Sequence, residues 1–177
     1  MKNKQINIVT LGCSKNVVDS EKLLRHLKAG GYSVTWDSDN TTADTVIINT
    51  CGFIGDAKEE SIDAILRFVN AKGKGRIRKL YVMGCLSERY KEQLMAEIPE
   101  VDKYFGVNNI TDILKEAGIS YRNNLQTSRI LTNPGHYAYL KVSEGCDRTC
   151  AFCAIPLIRG QCISRPVEEL LREAGEL

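Results

Sequence analysis

The sequence predicts an α/β fold: a small doubly wound parallel five-stranded sheet, in strand order 2-1-3-4-5, followed by one further βα unit. Three observations carry this. Short apolar runs alternate with stretches of helical spacing, the pattern of parallel βαβ units with right-handed crossovers. Three of the runs end at a glycine–cysteine or threonine–cysteine step, at Cys13, Cys51 and Cys85. Glycine pairs and Asn-Pro-Gly punctuate the boundaries where helices and domains should stop.

Taken in order, residues 6–11 form the first strand and end at Gly12-Cys13. Residues 19–29 carry Leu23, Leu24 and Leu27 at helical spacing and stop at Gly30-Gly31, a helix terminator. Residues 33–36 and 45–49 are strands joined without a helix, the second ending at Thr50-Cys51-Gly52. Asp56 and Glu59 make a capping-box pattern ahead of a helix bearing Ile62, Ile65, Leu66 and Val69. After a basic, glycine-containing turn over 72–79 comes a strand at 80–83, then Gly84-Cys85. Ser87 is placed to cap a helix running to about Glu97, before Pro99. A last strand is expected over 104–107, with Asn109 capping a helix over 110–117. In the order 2-1-3-4-5, strands 1, 3 and 4 are neighbours, and ligands bind outside the carboxyl edge at the switch point. Cys13, Cys51 and Cys85, spaced 38 and 34 residues apart, should therefore converge there.

Residues 119–136 are polar and turn-rich and read as a linker. A strand over 137–142, a cysteine loop and a helix over 165–177 follow. One strand, one loop and one helix cannot bury a core, so this end reads as the first βα unit of a larger domain. The domains are accordingly 1–118, the linker 119–136, and an incomplete unit over 137–177.

Composition narrows the class. A hydrophobic content of 43% supports a real core, and a net charge of +2 argues neither for nor against a nucleic-acid partner. The opening stretch lacks the apolar region of a signal peptide, and no apolar run approaches a membrane span of roughly 18 residues. A cytoplasmic protein with no membrane partner is expected, in which cysteines stay reduced and clustered cysteines do metal or redox work. The five basic residues of 72–79 form a solvated turn or touch RNA. Only Gly12 stands after the first strand, so there is no dinucleotide fingerprint. His26 and His136 have no evident catalytic partner, and a cysteine–histidine nucleophile is poorly supported.

Six of the seven cysteines fall into two sets of three. Cys146, Cys150 and Cys153 make a tight C-x3-C-x2-C run in a polar loop with Asp147 and Arg148. Iron–sulfur clusters are held by cysteine thiolates, normally four for a cubane. Three thiolates leave one iron open, much as a catalytic zinc keeps an open position. The amine and carboxylate of S-adenosylmethionine suit that iron, and Phe152 is placed to pack beside its adenine. Arg159 either contacts this cosubstrate or pairs with a carboxylate. The alternative for the loop is a structural zinc site with Cys162 as fourth ligand. Cys13, Cys51 and Cys85 taken singly read as small core residues; their shared position at strand ends makes a second three-thiol site.

These residues resemble a known family. The Cys146–Cys150–Cys153 run after a strand is similar to the signature of radical S-adenosylmethionine enzymes. Leu11-Gly12-Cys13-Ser14-Lys15-Asn16 with Asp19-Ser20-Glu21, then Asn49-Thr50-Cys51-Gly52-Phe53, Gly84-Cys85, Ile158-Arg159-Gly160 and Ser164-Arg165-Pro166 resemble the ordered motifs of the N-terminal part of the methylthiotransferases. Ser14-Lys15-Asn16 after the first cysteine looks like the branch that modifies a ribosomal protein.

The resemblance implies two 4Fe-4S clusters, one on Cys146, Cys150 and Cys153 and one on Cys13, Cys51 and Cys85. The last unit would then open a truncated radical S-adenosylmethionine barrel. The implied reaction adds a methylthio group to the β-carbon of an aspartate in small-subunit ribosomal protein twelve. Reductive cleavage of S-adenosylmethionine yields a radical that takes hydrogen from that carbon, sulfur at the second cluster then bonds to it, and a second S-adenosylmethionine supplies the methyl group to the sulfur by polar transfer. An electron donor such as flavodoxin or ferredoxin is implied as partner. A barrel needs about 200 residues or more, so turnover by these 177 residues alone is not expected. Two other readings stand beside this one. One is a tRNA adenosine methylthiotransferase; the other is an iron–sulfur electron-transfer or metal-binding module without catalysis.

Overall fold

The computed structural model describes residues 5–39, 43–125 and 127–177; residues 1–4, part of the opening read for a leader, lie outside the described residues. Strands β1 (Gln5–Thr10), β2 (Ser33–Trp36), β3 (Thr45–Thr50), β4 (Lys79–Gly84) and β5 (Lys103–Tyr104) form one sheet in the order 2-1-3-4-5, as expected. Every pairing in it is parallel. Helices α1 (Ser14–Ala29), α2 (Gly55–Gly73), α3 (Cys85–Glu97) and α4 (Ile110–Glu116) cover its two faces. Among the described residues, no helix is long and apolar enough to cross a membrane.

The central strands are covered on both sides, which is why they read as continuous apolar runs and not as alternating ones. Successive side chains still go to opposite faces. Val46, Ile48, Leu80 and Val82 pack with Ile65 and Phe68 of α2 and Leu94 of α3. Ile47, Tyr81 and Met83 pack the other way, with Leu23, Leu24 and Leu27 of α1 and Ile113 and Leu114 of α4. Each fully buried Leu, Ile or Phe side chain contributes about 1.5–3 kcal/mol, so the two clusters hold the helices to the sheet.

Several boundaries differ from the sequence expectation. Strand β5 is only Lys103–Tyr104, shorter than 104–107, although Phe105 still donates its N–H to Val82 O at 2.7 Å. It lies at the sheet edge with one neighbour, so little holds it longer. Asp56 does not cap α2: the helix starts at Gly55, Ile54 is its N-cap, and Asp56 sits in the first turn. There its charge suits the positive helix end. Nor does Ser87 cap α3, which starts two residues earlier, at Cys85. Gly84 takes φ +101°, a left-handed conformation open to glycine, and turns the chain from strand directly into helix.

Gly84 has no room for a side chain. A Cβ there would lie 2.5 Å from Thr50 O and 2.8 Å from Thr50 N, both backbone atoms of the paired strand. Gly84→Ala combines that clash with a positive φ. We expect a loss of more than about 1 kcal/mol, read as a lower midpoint in urea denaturation; an unchanged midpoint would contradict this geometry.

Two residues of the segment read as a linker pack against the sheet domain. Ile119 and Ile130 join the cluster around α1 and α4. Beyond them, the strand expected over 137–142 is not formed. Tyr137, Tyr139 and Val142 are residue types that suit a strand, but a strand needs a neighbour to bond to, and Tyr137, Tyr139, Leu140 and Val142 are all exposed. Pairing occurs just after it, where β6 (Ser143–Glu144) runs antiparallel to β7 (Ile163–Ser164). Between these strands lies α5 (Ile155–Arg159), and α6 (Val167–Glu176) follows β7.

Candidate metal centre

The register of the sheet brings the spread cysteines together. Thr10 pairs with Asn49 and Thr50 with Gly84, so β1, β3 and β4 end level. Cys51 and Cys85 directly follow their strands, and Cys13 is the N-cap of α1. All three line one cavity of about 820 Å³, with Gly12, Phe53, Ile54 and Arg159. Cys51 and Cys85 are buried and Cys13 is exposed, and all three are free thiols. Cys13 and Cys85 stand at the starts of helices, where unsatisfied N–H groups favour negative charge. Burial pushes the Cys85 thiol up, and the Arg159 guanidinium beside it pulls the other way.

Neighbouring residues fix this arrangement. Cys51 N–H donates to Ser61 Oγ at 3.0 Å, and Ser61 Oγ donates to Ala57 O at 2.7 Å, which ties the thiol-bearing turn to α2. Asn16 is fully buried. Its Nδ2 donates to Leu11 O at 2.8 Å and to Thr50 O at 3.1 Å, joining the ends of two strands. Its Oδ1 lies 3.9 Å from Cys85 Sγ and accepts from Arg159 Nη2 at 2.8 Å.

Arg159 is 5% exposed. Its Nη1 lies 2.9 Å from Glu144 Oε1 and 3.3 Å from Asp19 Oδ2. Lys141 Nζ bridges the same two carboxylates. Burial alone would raise the Glu144 carboxyl, but the hydrogen bond and charge of Lys141, with Arg159 adding to them, bring it down to about 2. Arg159 thus pairs with two carboxylates within the wall of the three-cysteine cavity. Sequence reasoning missed Asn16, Asp19, Ser61 and Glu144 as site residues. Asn16 and Asp19 stand within the motif that follows Cys13; nothing in the sequence singles out Ser61 or Glu144.

The tight trio is placed differently. Cys150 is exposed, while Cys146 and Cys153 are half-buried. Cys153 N–H donates to Cys150 O and Cys146 N–H to Gly160 O, each at 3.0 Å, so the loop turns back on itself. Phe152 is 91% exposed. Directly after the loop, Ala154 and Ile158 of α5 pack with Cys85 and Val107. The helix that leaves one trio thus rests on a member of the other. Elsewhere, Lys72 belongs to α2 and binds Asp102 at 2.6 Å, which takes it out of the basic turn.

The fit of an iron–sulfur group rests on donors and room. Three free thiols face a cavity from which glycine excludes side chains: a Cβ at Gly12 would lie 2.5 Å from Cys51 Cβ and 3.0 Å from its Sγ. Among the described residues, no three Cys, His, Asp or Glu side chains stand close enough to share a single metal ion. A cluster is wider than an ion and takes each thiolate on a separate iron, so the donor set fits the group.

Residues 5–106 match Uncharacterized protein family UPF0004. The chain belongs to this family. It is 59% identical, over 98% of its length, to a protein of Phocaeicola vulgatus named ribosomal protein uS12 methylthiotransferase RimO, and covers 40% of that relative. It is 58% identical over its whole length to the protein of that name from Bacteroides fragilis, covering 41% of it. The Cytophaga hutchinsonii protein of the same name is 53% identical over 96% of the chain. The chain thus spans about two fifths of the length of these curated relatives.

Proposed function

We propose that this chain is the cluster-binding part of a radical S-adenosylmethionine methylthiotransferase that acts on an aspartate β-carbon of ribosomal protein uS12. Residues 1–118 are the methylthiotransferase domain, 119–136 the linker, and 137–177 the start of the radical domain. The observation that carries this reading is the packing of the segment after the tight trio on the site of the spread one. Thiols from three strand ends line one cavity, and the helix following the second trio packs against one of them. The substrate rests on the name shared by relatives 51–59% identical to the chain.

When bound, the clusters supply one-electron chemistry and an open iron at each site. The chain does the rest. Cys13, Cys51 and Cys85 hold one cluster in the cavity; Cys146, Cys150 and Cys153 hold the other in the loop. Phe152 presents its ring for an adenine of S-adenosylmethionine to cover. Arg159 orients the loop's following helix against the cavity through Asn16, Asp19 and Glu144. A small electron carrier such as flavodoxin or ferredoxin delivers the electron.

Anaerobic reconstitution of the chain should give iron and acid-labile sulfide in equal amounts, with zinc absent. Zinc without sulfide would overturn the reading. The full-length gene product, supplied with S-adenosylmethionine and a reductant, should methylthiolate uS12 and leave tRNA unmodified, as read by mass spectrometry. Modification of tRNA alone would replace the proposed substrate.

A further inference from the structure

We propose that Arg159 is a positioning residue for the three-cysteine site, serving as the buried positive charge that sets the reduction potential of the cluster held there. The inference rests on the proposed function, since it needs a cluster on Cys13, Cys51 and Cys85. It goes beyond that reading by giving a residue of the radical segment a role at the other site.

Geometry carries it. Arg159 lines the same cavity as the three thiols and is almost wholly buried. Its Nη2 shares Asn16 Oδ1 with the Cys85 thiol, at 2.8 and 3.9 Å. Two acids, Asp56 and Glu60, also line the cavity, but both are exposed. Water and salt screen exposed charges far more than buried ones, so the guanidinium dominates the field inside. Its neighbours do not cancel it: Asp19 and Glu144 are shared with Lys141, and Lys15 lies 3.9 Å from Glu144. A positive charge beside a cluster favours the member of the couple with one electron more.

The test is an EPR-monitored titration with dithionite as one-electron reductant. It uses the chain with Cys146, Cys150 and Cys153 changed to Ala, so that one cluster reports. Arg159→Gln should lower the midpoint, reducing the ratio of reduced to oxidised cluster at fixed potential at least tenfold, which for a one-electron couple is 59 mV. Arg159→Lys should recover most of that ratio. Glu144→Gln, which removes one of the balancing anions, should shift the midpoint the opposite way. A bound cluster whose midpoint moves in none of the three variants overturns the role of Arg159 and leaves the proposed function standing. Loss of the cluster in Arg159→Gln, with unmoved midpoints in Arg159→Lys and Glu144→Gln, also overturns it and assigns Arg159 to folding alone. Failure of the parent chain to bind any cluster overturns both readings.

Discussion

Changing Cys13, Cys51 and Cys85 together to Ala should remove about half of the iron and sulfide that the reconstituted chain binds, one of two clusters, while the sheet stays folded. The three thiols line a single cavity, so the effect should be all-or-none at that site. Folding should survive for local reasons. Cys13 is the N-cap of α1 but makes no side-chain capping bond there. Cys51 is held by its backbone N–H on Ser61 Oγ, which the change leaves intact. Cys85 is a buried thiol beside Ala154 and Ile158, and Ala is a small apolar replacement for it. Iron and sulfide analysis with far-UV circular dichroism reads both halves of the prediction. Unchanged iron with a native spectrum would mean that these thiols hold no cluster.

The largest stability effect is expected from Glu21→Ala. Glu21 is fully buried on α1. Its Oε2 binds Arg129 Nη1 at 2.8 Å, and its Oε1 accepts from Thr132 N and Oγ1 at 2.8 and 3.0 Å. Arg129 in turn reaches Glu173 Oε1 at 3.1 Å, and Arg165 binds the same residue's Oε2 at 2.5 Å. One carboxylate therefore fastens residues 129–132 to the sheet domain and, through Arg129, reaches α6. Truncating one partner of a buried pair leaves the other charge uncompensated and costs about 3–5 kcal/mol. In a domain of this size that lowers Tm by roughly 10 °C. Exposed pairs such as Arg67 with Asp39 should matter little, because each is weak in water. Differential scanning fluorimetry of Glu21→Ala beside Asp39→Ala tests the contrast, and equal shifts would contradict it.

Part of this molecule was legible because its signals are local. The runs at β1, β3 and β4 are apolar enough to mark buried parallel strands. Their cysteines stand one to three residues past the last paired residue, so the strand order alone brings the thiols to one edge. Other features were not legible because they depend on partners distant in sequence. Residues 137–142 include the β-prone types of a strand, but among the described residues no strand pairs with them, and the rings of Tyr137 and Tyr139 lie exposed. Residues 119–136 look like a polar linker, yet Arg129 and Thr132 meet Glu21 across more than a hundred positions. Ser61 and Glu144 carry no motif at all and become site residues only through what they touch.

By itself the sequence determined the parallel sheet, its strand order and the two three-cysteine sets, because periodicity and spacing are properties of neighbouring residues. Only the tertiary structure decided that the segment following one set packs on the other. Helix α5 leaves one trio, packs on Cys85 of the other and buries Arg159 in its cavity. That junction depends on the packing of segments some 70 to 140 residues apart, and on charges that hold one another only once water is excluded.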